Sequence, residues 1–326
     1  MPLDTRQLRR RLREALPGLE AASDDAPTLE SSDLPTEPPH TRDCAVLEGD
    51  RFESVPIDGD PVVGFAAFLD GIQTSRVWGY DAGIPIVFGH VAAAIRVRVD
   101  RRLTTWSAPR EHGGLYAPLE WLSRETAEAL RRLGVPLRDT GREASPAPPH
   151  PLQLLRVAIH AVQGDREQVE HACADDWCAR EVAPLFVDGG VPRGNQAAHA
   201  MQCVGVIKSH HTLYAQGDGL RVIASLGDGM RSRVIRIDPT WGPAVASWYL
   251  RVRRAPGRDP LWGLVRVEIP LSAGATAGAL GERANLVSRW ILAERAPWLP
   301  DGRWDRMAYG IEIASRTCAR GRPRSR

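Results

Sequence analysis

Two short apolar runs in this sequence end in the same dipeptide, Phe68-Leu69-Asp70-Gly71 and Leu185-Phe186-Val187-Asp188-Gly189. Each reads as a buried strand that stops at its aspartate and turns at the glycine. If the strands are parallel neighbours, their ends lie about 4.8 Å apart and both carboxylates meet at one rim of a sheet. Such a pair repels unless a cation neutralises it, and an all-oxygen set suits a hard divalent ion such as Mg²⁺ or Mn²⁺. Two ions roughly 3.5 to 4 Å apart activate water and stabilise the leaving oxygen in phosphodiester hydrolysis. A single Asp-Gly after a strand is ordinarily just a turn. It is the repetition on either side of a helix that points to chemistry.

A third carboxylate is expected from that intervening helix. Glu167 and Glu170 lie one turn apart and share a face, with Glu170 preferred; a solvated helix acid is the ordinary alternative for either. Asp175 and Asp176, nearer the far end of the helix, are weaker candidates. Lys208, in CVGVIKSHHTLY, is the only lysine among 42 basic residues. Where arginine serves everywhere else, a retained lysine suggests a site that needs a compact ammonium rather than a planar fork.

The elements that must position these residues follow from pattern. Residues 4–16 read as a helix with Leu8, Leu12 and Leu16 on one stripe, ended by Pro17 and Gly18. Ser, Asp, Glu and Pro dominate from Ala21 to Thr41, and residues 21–60 as a whole are expected to be a flexible linker ahead of a domain over 61–319. Within that domain, strands are expected at 61–70, 76–80 and 91–103, and a helix at 118–133 inside an insertion of about 107–150. A long helix over 152–182, broken at Gly164, leads to LFVDGG and then to the strand CVGVIK, and this β, α, β order favours parallel neighbours. SRVIRI, SWYLRVRR and LWGLVRVEIP are strand-like, GERANLVSRWILAERA is helical, and a last helix near 304–319 precedes the basic tail 320–326.

Composition narrows the class. With 43% apolar and 25% charged residues over 326 positions, the chain is neither disordered nor collagen-like. Five scattered cysteines do not describe a disulfide scaffold, and His171, Cys173 and Cys178 are an incomplete zinc set. No apolar run approaches the roughly 18 residues of a membrane span, and the charged N-terminus lacks a signal-peptide core, so the expected location is cytoplasmic with no membrane partner. There is no phosphate-binding loop, dinucleotide fingerprint or serine elbow. Seven arginines between Arg231 and Arg258, interleaved with Trp241, Trp248 and Tyr249 and accompanied by one acid, Asp238, read either as a groove for phosphates and bases or as outward-facing strand residues. His210 and His211 follow the lysine and read as surface or loop packing, with substrate contact as the alternative.

The ordered set FLDGIQTS, an acidic helix, LFVDGG and VGVIKSHHTLY resembles the NurA-type DNA repair nucleases over roughly residues 61–315. The resemblance implies an α/β fold with an RNase H-like mixed sheet flanked by helices, a helical insertion and a C-terminal α/β elaboration. It implies cleavage of DNA with two Mn²⁺ or Mg²⁺ ions. Matched by position, Asp70 and Asp188 would be metal-binding carboxylates, Glu170 the helical one, and Lys208 a cation near the scissile phosphate. A homodimer that works with a HerA-like hexameric ATPase, in DNA end processing or phage defence, is also implied, and the N-terminal helix on its linker is a reasonable docking element. The family's C-terminal histidine has no counterpart: no histidine follows His211, and AYGIEIASRTCA offers Glu312, Ser315 and Thr317 instead. The alternative from another class is a non-catalytic DNA-binding or assembly subunit that retains the fold; a ribonuclease with the same site differs only in substrate.

Overall fold

A computed structural model describes residues 4–21, 38–100, 102–141, 150–254 and 259–295. Helix α1 (Thr5–Ala15) and strand β1 (Glu20–Ala21) open the chain, and β2 (His40–Arg42), β3 (Ala45–Val46) and β4 (Ser54–Pro56) follow. Next come β5 (Ala67–Asp81), β6 (Ile84–Val99), β7 (Arg102–Thr105), β8 (Arg110–Ala117), α2 (Arg124–Arg132) and β9 (Leu137–Asp139). Helix α3 (Pro151–Arg180) leads to β10 (Leu185–Asp188), β11 (Cys203–Ile207), β12 (Thr212–Tyr214) and α4 (Asp218–Ser225). The described chain closes with β13 (Met230–Ser232), β14 (Ile235–Ile237), β15 (Val245–Arg251), β16 (Leu264–Pro270) and α5 (Ala277–Ala293).

Fourteen of these strands form one mixed sheet whose main path runs β3-β14-β15-β16-β11-β10-β5-β6-β8-β9. At its centre β5, β10 and β11 are parallel, as the βαβ order around α3 requires; β6 and β16 flank them antiparallel. Strand alternation sends successive side chains to opposite faces. Leu69, Leu185, Val187 and Cys203 pack with Cys173, Ala174 and Trp177 of α3 on one face. Phe68, Phe186, Val204 and Val206 pack with Leu280, Ala284, Val287 and Ile291 of α5 on the other. Helix α4 continues the α3 face through Ile223, while α1 and α2 cover the far half of the α5 face around Trp78, Ile86 and Phe88. The chain is thus a mixed α/β fold with helices on both faces of a large sheet.

Several expectations are corrected. The strand predicted to stop at Asp70 runs on to Asp81, because β6 pairs with it from Ala67↔Val97 to Asp81↔Ile84, with one bulge between Val77 and Gly79. The hairpin turns at Ala82 and Gly83, both at positive φ, as a tight two-residue connection between twisted strands requires. The break expected at Gly164 is absent, and α3 is continuous over 30 residues. A mid-helix glycine costs about 1 kcal/mol, and the buried residues on both sides, from Leu154 and Val162 to Cys173 and Trp177, outweigh it. His150 caps that helix with a reciprocal Gln153 contact, and Pro151 occupies its first turn.

The boundaries of the expected linker and insertion also move. Residues 40–56 carry β2, which pairs with β12 in a separate two-stranded sheet, and β3 and β4, through which the main sheet reaches into the segment read as linker. Glu48 there is buried against Arg231, with contacts of 2.6 and 2.8 Å. Helix α1 is no free docking arm: Leu8, Leu12 and Leu16 are buried against the sheet, and β1 pairs with Tyr80 and Gly79 of β5. The 107–150 insertion contributes β8 and β9 to the main sheet. The helix expected at 304–319, the tail, and Glu312, Ser315 and Thr317 lie outside the described residues. Among the described residues no helix is long and apolar enough to cross a membrane.

Candidate active site

The two Asp-Gly segments meet. In the β5–β10 ladder Phe186 lies opposite Phe68 and Val187 opposite Leu69, so the next step of the register sets Asp188 beside Asp70. Alternation sends both aspartates to the same side as Phe68 and Phe186, whose rings touch at 5.8 Å between centroids. Beyond this point β10 ends and β5 continues, which leaves a notch in the sheet. Gly189, at φ +137, carries the chain out of β10, its N–H donating to the Val206 carbonyl at 3.1 Å. On the opposite face Glu268 holds the departing loop by accepting from the Val191 N–H at 3.1 Å.

Glu170 approaches β5 from α3, on the face opposite the two aspartate side chains. Its carboxylate lies over Gly71, so close that a Cβ built on that glycine would sit 2.1 Å from Oε1. The glycine after Asp70 is therefore needed for the approach of a carboxylate and not for a turn. Arg166, one helical turn earlier, donates to Glu170 Oε1 at 2.5 Å. Lys208, just past the end of β11, reaches back across the parallel pair, and its Nζ lies 2.6 Å from Asp188 Oδ2.

The electrostatics agree with this crowding. Burial pushes the Asp70 carboxyl well above its ordinary value, Asp188 and Glu170 push it further, and Lys208 and Arg166 only partly oppose them. Glu170 is raised to about 7, again chiefly by burial, with Arg166 opposing and Asp188 adding. Each of the two buried acids thus feels Asp188. Among the described residues no three His, Cys, Asp or Glu side chains are already gathered as a coordination shell; Asp188 is held by Lys208 and Glu170 by Arg166.

The other candidates separate cleanly. Glu167 is exposed and accepts from Gln163, away from the notch. Asp175 caps the segment after β10 by accepting from the backbone N–H groups of Asn195, Gln196 and Ala197, and Asp176 pairs with Arg110. Of the arginines and aromatics expected to line a groove, Arg231 is buried on Glu48, Arg233 pairs with Glu53, Arg236 with Asp238, and Trp248 and Tyr249 are core residues. That stretch mainly builds the sheet, because alternate residues of β15 must face α4 and α5. His210 donates from Nε2 to the Leu264 carbonyl oxygen at 2.9 Å and is buried enough for its pKa to fall, whereas His211 is exposed. Arg166 was not singled out from sequence; its spacing of four from Glu170 was the available signal.

Compared with known proteins, the chain matches no family model and no curated sequence.

Proposed function

We propose that this chain is a divalent-metal-dependent DNA nuclease that hydrolyses phosphodiester bonds on an RNase H-like arrangement of its mixed sheet. The observation that carries the reading is the adjacency of Asp70 and Asp188 where β10 ends beside β5, with the chain's only lysine on Asp188 and Glu170, across the sheet from them, near enough for its charge to raise Asp70. The donor set fits Mn²⁺ or Mg²⁺: it is all oxygen, and Asp70 is buried among acids that disfavour its charge, so added positive charge is what the cluster lacks. Asp70, Glu170 and Asp188 would hold the ions. Bound there, such ions supply an activated water and charge at the leaving oxygen. Lys208 acts as a point charge toward the substrate phosphate, and Arg166 holds the Glu170 carboxylate in place. From the resemblance to NurA-type nucleases the proposal extends to a homodimer and a HerA-like ATPase partner.

A second reading rests on the same contacts. The Asp188–Lys208 and Glu170–Arg166 pairs neutralise two of the three acids internally, and a protonated Asp70 would complete a neutral cluster with no ion at all. That arrangement suits a DNA-binding or assembly subunit without catalysis. Purified full-length protein with linear DNA and Mn²⁺ separates the two. The nuclease reading expects degradation that chelator stops and that Asp70→Asn and Asp188→Asn abolish while circular dichroism shows them folded. Wild-type protein that binds DNA and never cuts it, with or without an ATPase partner, would establish the second reading; parallel RNA substrate tests the ribonuclease variant.

A further inference from the structure

Two cavities outside the carboxylate cluster share a wall. One, of about 380 Å³, is bounded by Lys208, His211, Leu261 and Trp262; the other, of about 350 Å³, by Arg221, Ser225, Arg251 and Arg254. Asp259 and Trp262 line both, so the cavities adjoin at that turn as two compartments of a groove. Its first compartment is lined by the lysine whose ammonium touches Asp188, and Trp262 lines both compartments.

The groove is held rigidly, and it is positive. Arg251 is 1% exposed yet forms part of the second cavity's wall. Its guanidinium donates to five carbonyls, those of Ile223, Ala224 and Leu226 at the end of α4 and those of Pro260 and Trp262 in the turn before β16. A single buried cation thus ties together both banks of the groove and fixes the turn that presents Trp262. Its hydrogen-bond acceptors are all carbonyls, and the nearby carboxylates of Asp228 and Asp259 offset part of its charge. Arg254 and Arg221 add exposed cations, the latter paired with exposed Asp218 at 3.2 Å. The one acid in the walls, Asp259, accepts from the Leu261 N–H at 2.9 Å and thereby shapes the same turn.

We propose that this groove binds a single-stranded nucleic-acid segment extending from the carboxylate site, with one base stacked on Trp262 and the backbone phosphates beside Arg254 and Arg221. A half-exposed indole between cations suits an unpaired base with a phosphate on each side. Cavities of this size, at the low end of the range for ligand sites, admit nucleotide units one at a time and not a duplex. The inference rests on the proposed nuclease reading for the direction of the strand, but its binding chemistry is independent of any metal.

The test is fluorescence anisotropy of a short labelled single-stranded oligonucleotide with full-length protein in chelator, which removes cleavage from the readout. Trp262→Ala is expected to weaken binding roughly 5- to 100-fold, and Trp262→Phe, which keeps a stacking face, to restore most of it. Arg254→Glu, at an exposed position that the fold tolerates, is expected to weaken binding and lower the salt slope by about 1. Trp241→Ala serves as the control: that indole is 79% exposed and lines neither cavity. Wild-type protein that does not bind, equal binding by Trp262→Ala and Arg254→Glu, or competition by a free mononucleotide as effective as by the oligonucleotide would each overturn the strand path. Loss of cleavage in Asp188→Asn alongside unaffected groove variants would sink the groove and spare the nuclease. Weakened binding in the groove variants of a protein that never cuts DNA would do the reverse.

Discussion

Replacing Glu170 by glutamine tests whether the notch is a strained carboxylate cluster. Burial raises this carboxyl from its ordinary 4.5 to about 7 even though Arg166 touches it. The folded state therefore binds the proton more tightly than the unfolded chain, and stability from this group is full below pH 4.5 and falls as the pH rises through 7. Each tenfold difference in proton affinity is about 1.4 kcal/mol, so the loss reaches roughly 2 kcal/mol by pH 6 and roughly 3 kcal/mol above pH 7.5. Glu170→Gln removes the titration and keeps a neutral acceptor for Arg166. Urea melts in chelator should show the variant gaining on the wild type between pH 5 and 8, and melting roughly 5 °C higher at pH 8. Adding Mn²⁺ should reverse the order, because the wild type gains an ion where it carried a proton and the variant does not. A stability difference between the two proteins that stays flat from pH 5 to 8 would refute the account of Glu170 as a buried, repelled acid.

Three further perturbations follow from the same geometry. Lys208→Met should lower Mn²⁺-dependent DNA cleavage by about 100-fold or more, with Lys208→Arg a poor substitute because a planar fork replaces a point charge; initial-rate assays on linear DNA decide this. Gly71→Ala places a methyl 2.1 Å from Glu170 Oε1 and should cost about 1–3 kcal/mol in denaturant unfolding while displacing the carboxylate, so cleavage falls along with stability. Leu12→Ala, at a side chain 1% exposed beneath α1, should cost about 2–5 kcal/mol in the same measurement; a change near zero would restore α1 as a free arm.

Much of the layout was legible in the order of residues. The apolar runs before Asp70 and Asp188, the long helix between them and the strand before Lys208 are local patterns, and backbone hydrogen bonding turns such patterns into a βαβ unit with parallel neighbours. The residue types at the site were likewise visible, since Asp, Glu and an isolated Lys are chemical choices written one position at a time. Tertiary structure decided the rest. Asp70-Gly71 reads locally as a strand end, yet β6 extends the ladder through it, and the glycine serves the approach of Glu170. Glu167 and Glu170 share a face on paper, but the angle at which α3 crosses the sheet sends one to solvent and buries the other beside Arg166. The arginine-rich stretch looked like a phosphate groove because composition does not record pairing; once folded, Glu48, Glu53 and Asp238 take up three of its cations and five carbonyls a fourth. Local sequence sets which conformations and charges are available, whereas adjacency, burial and the identity of each charge's partner come from contacts between segments far apart in the chain, and those exist only after folding.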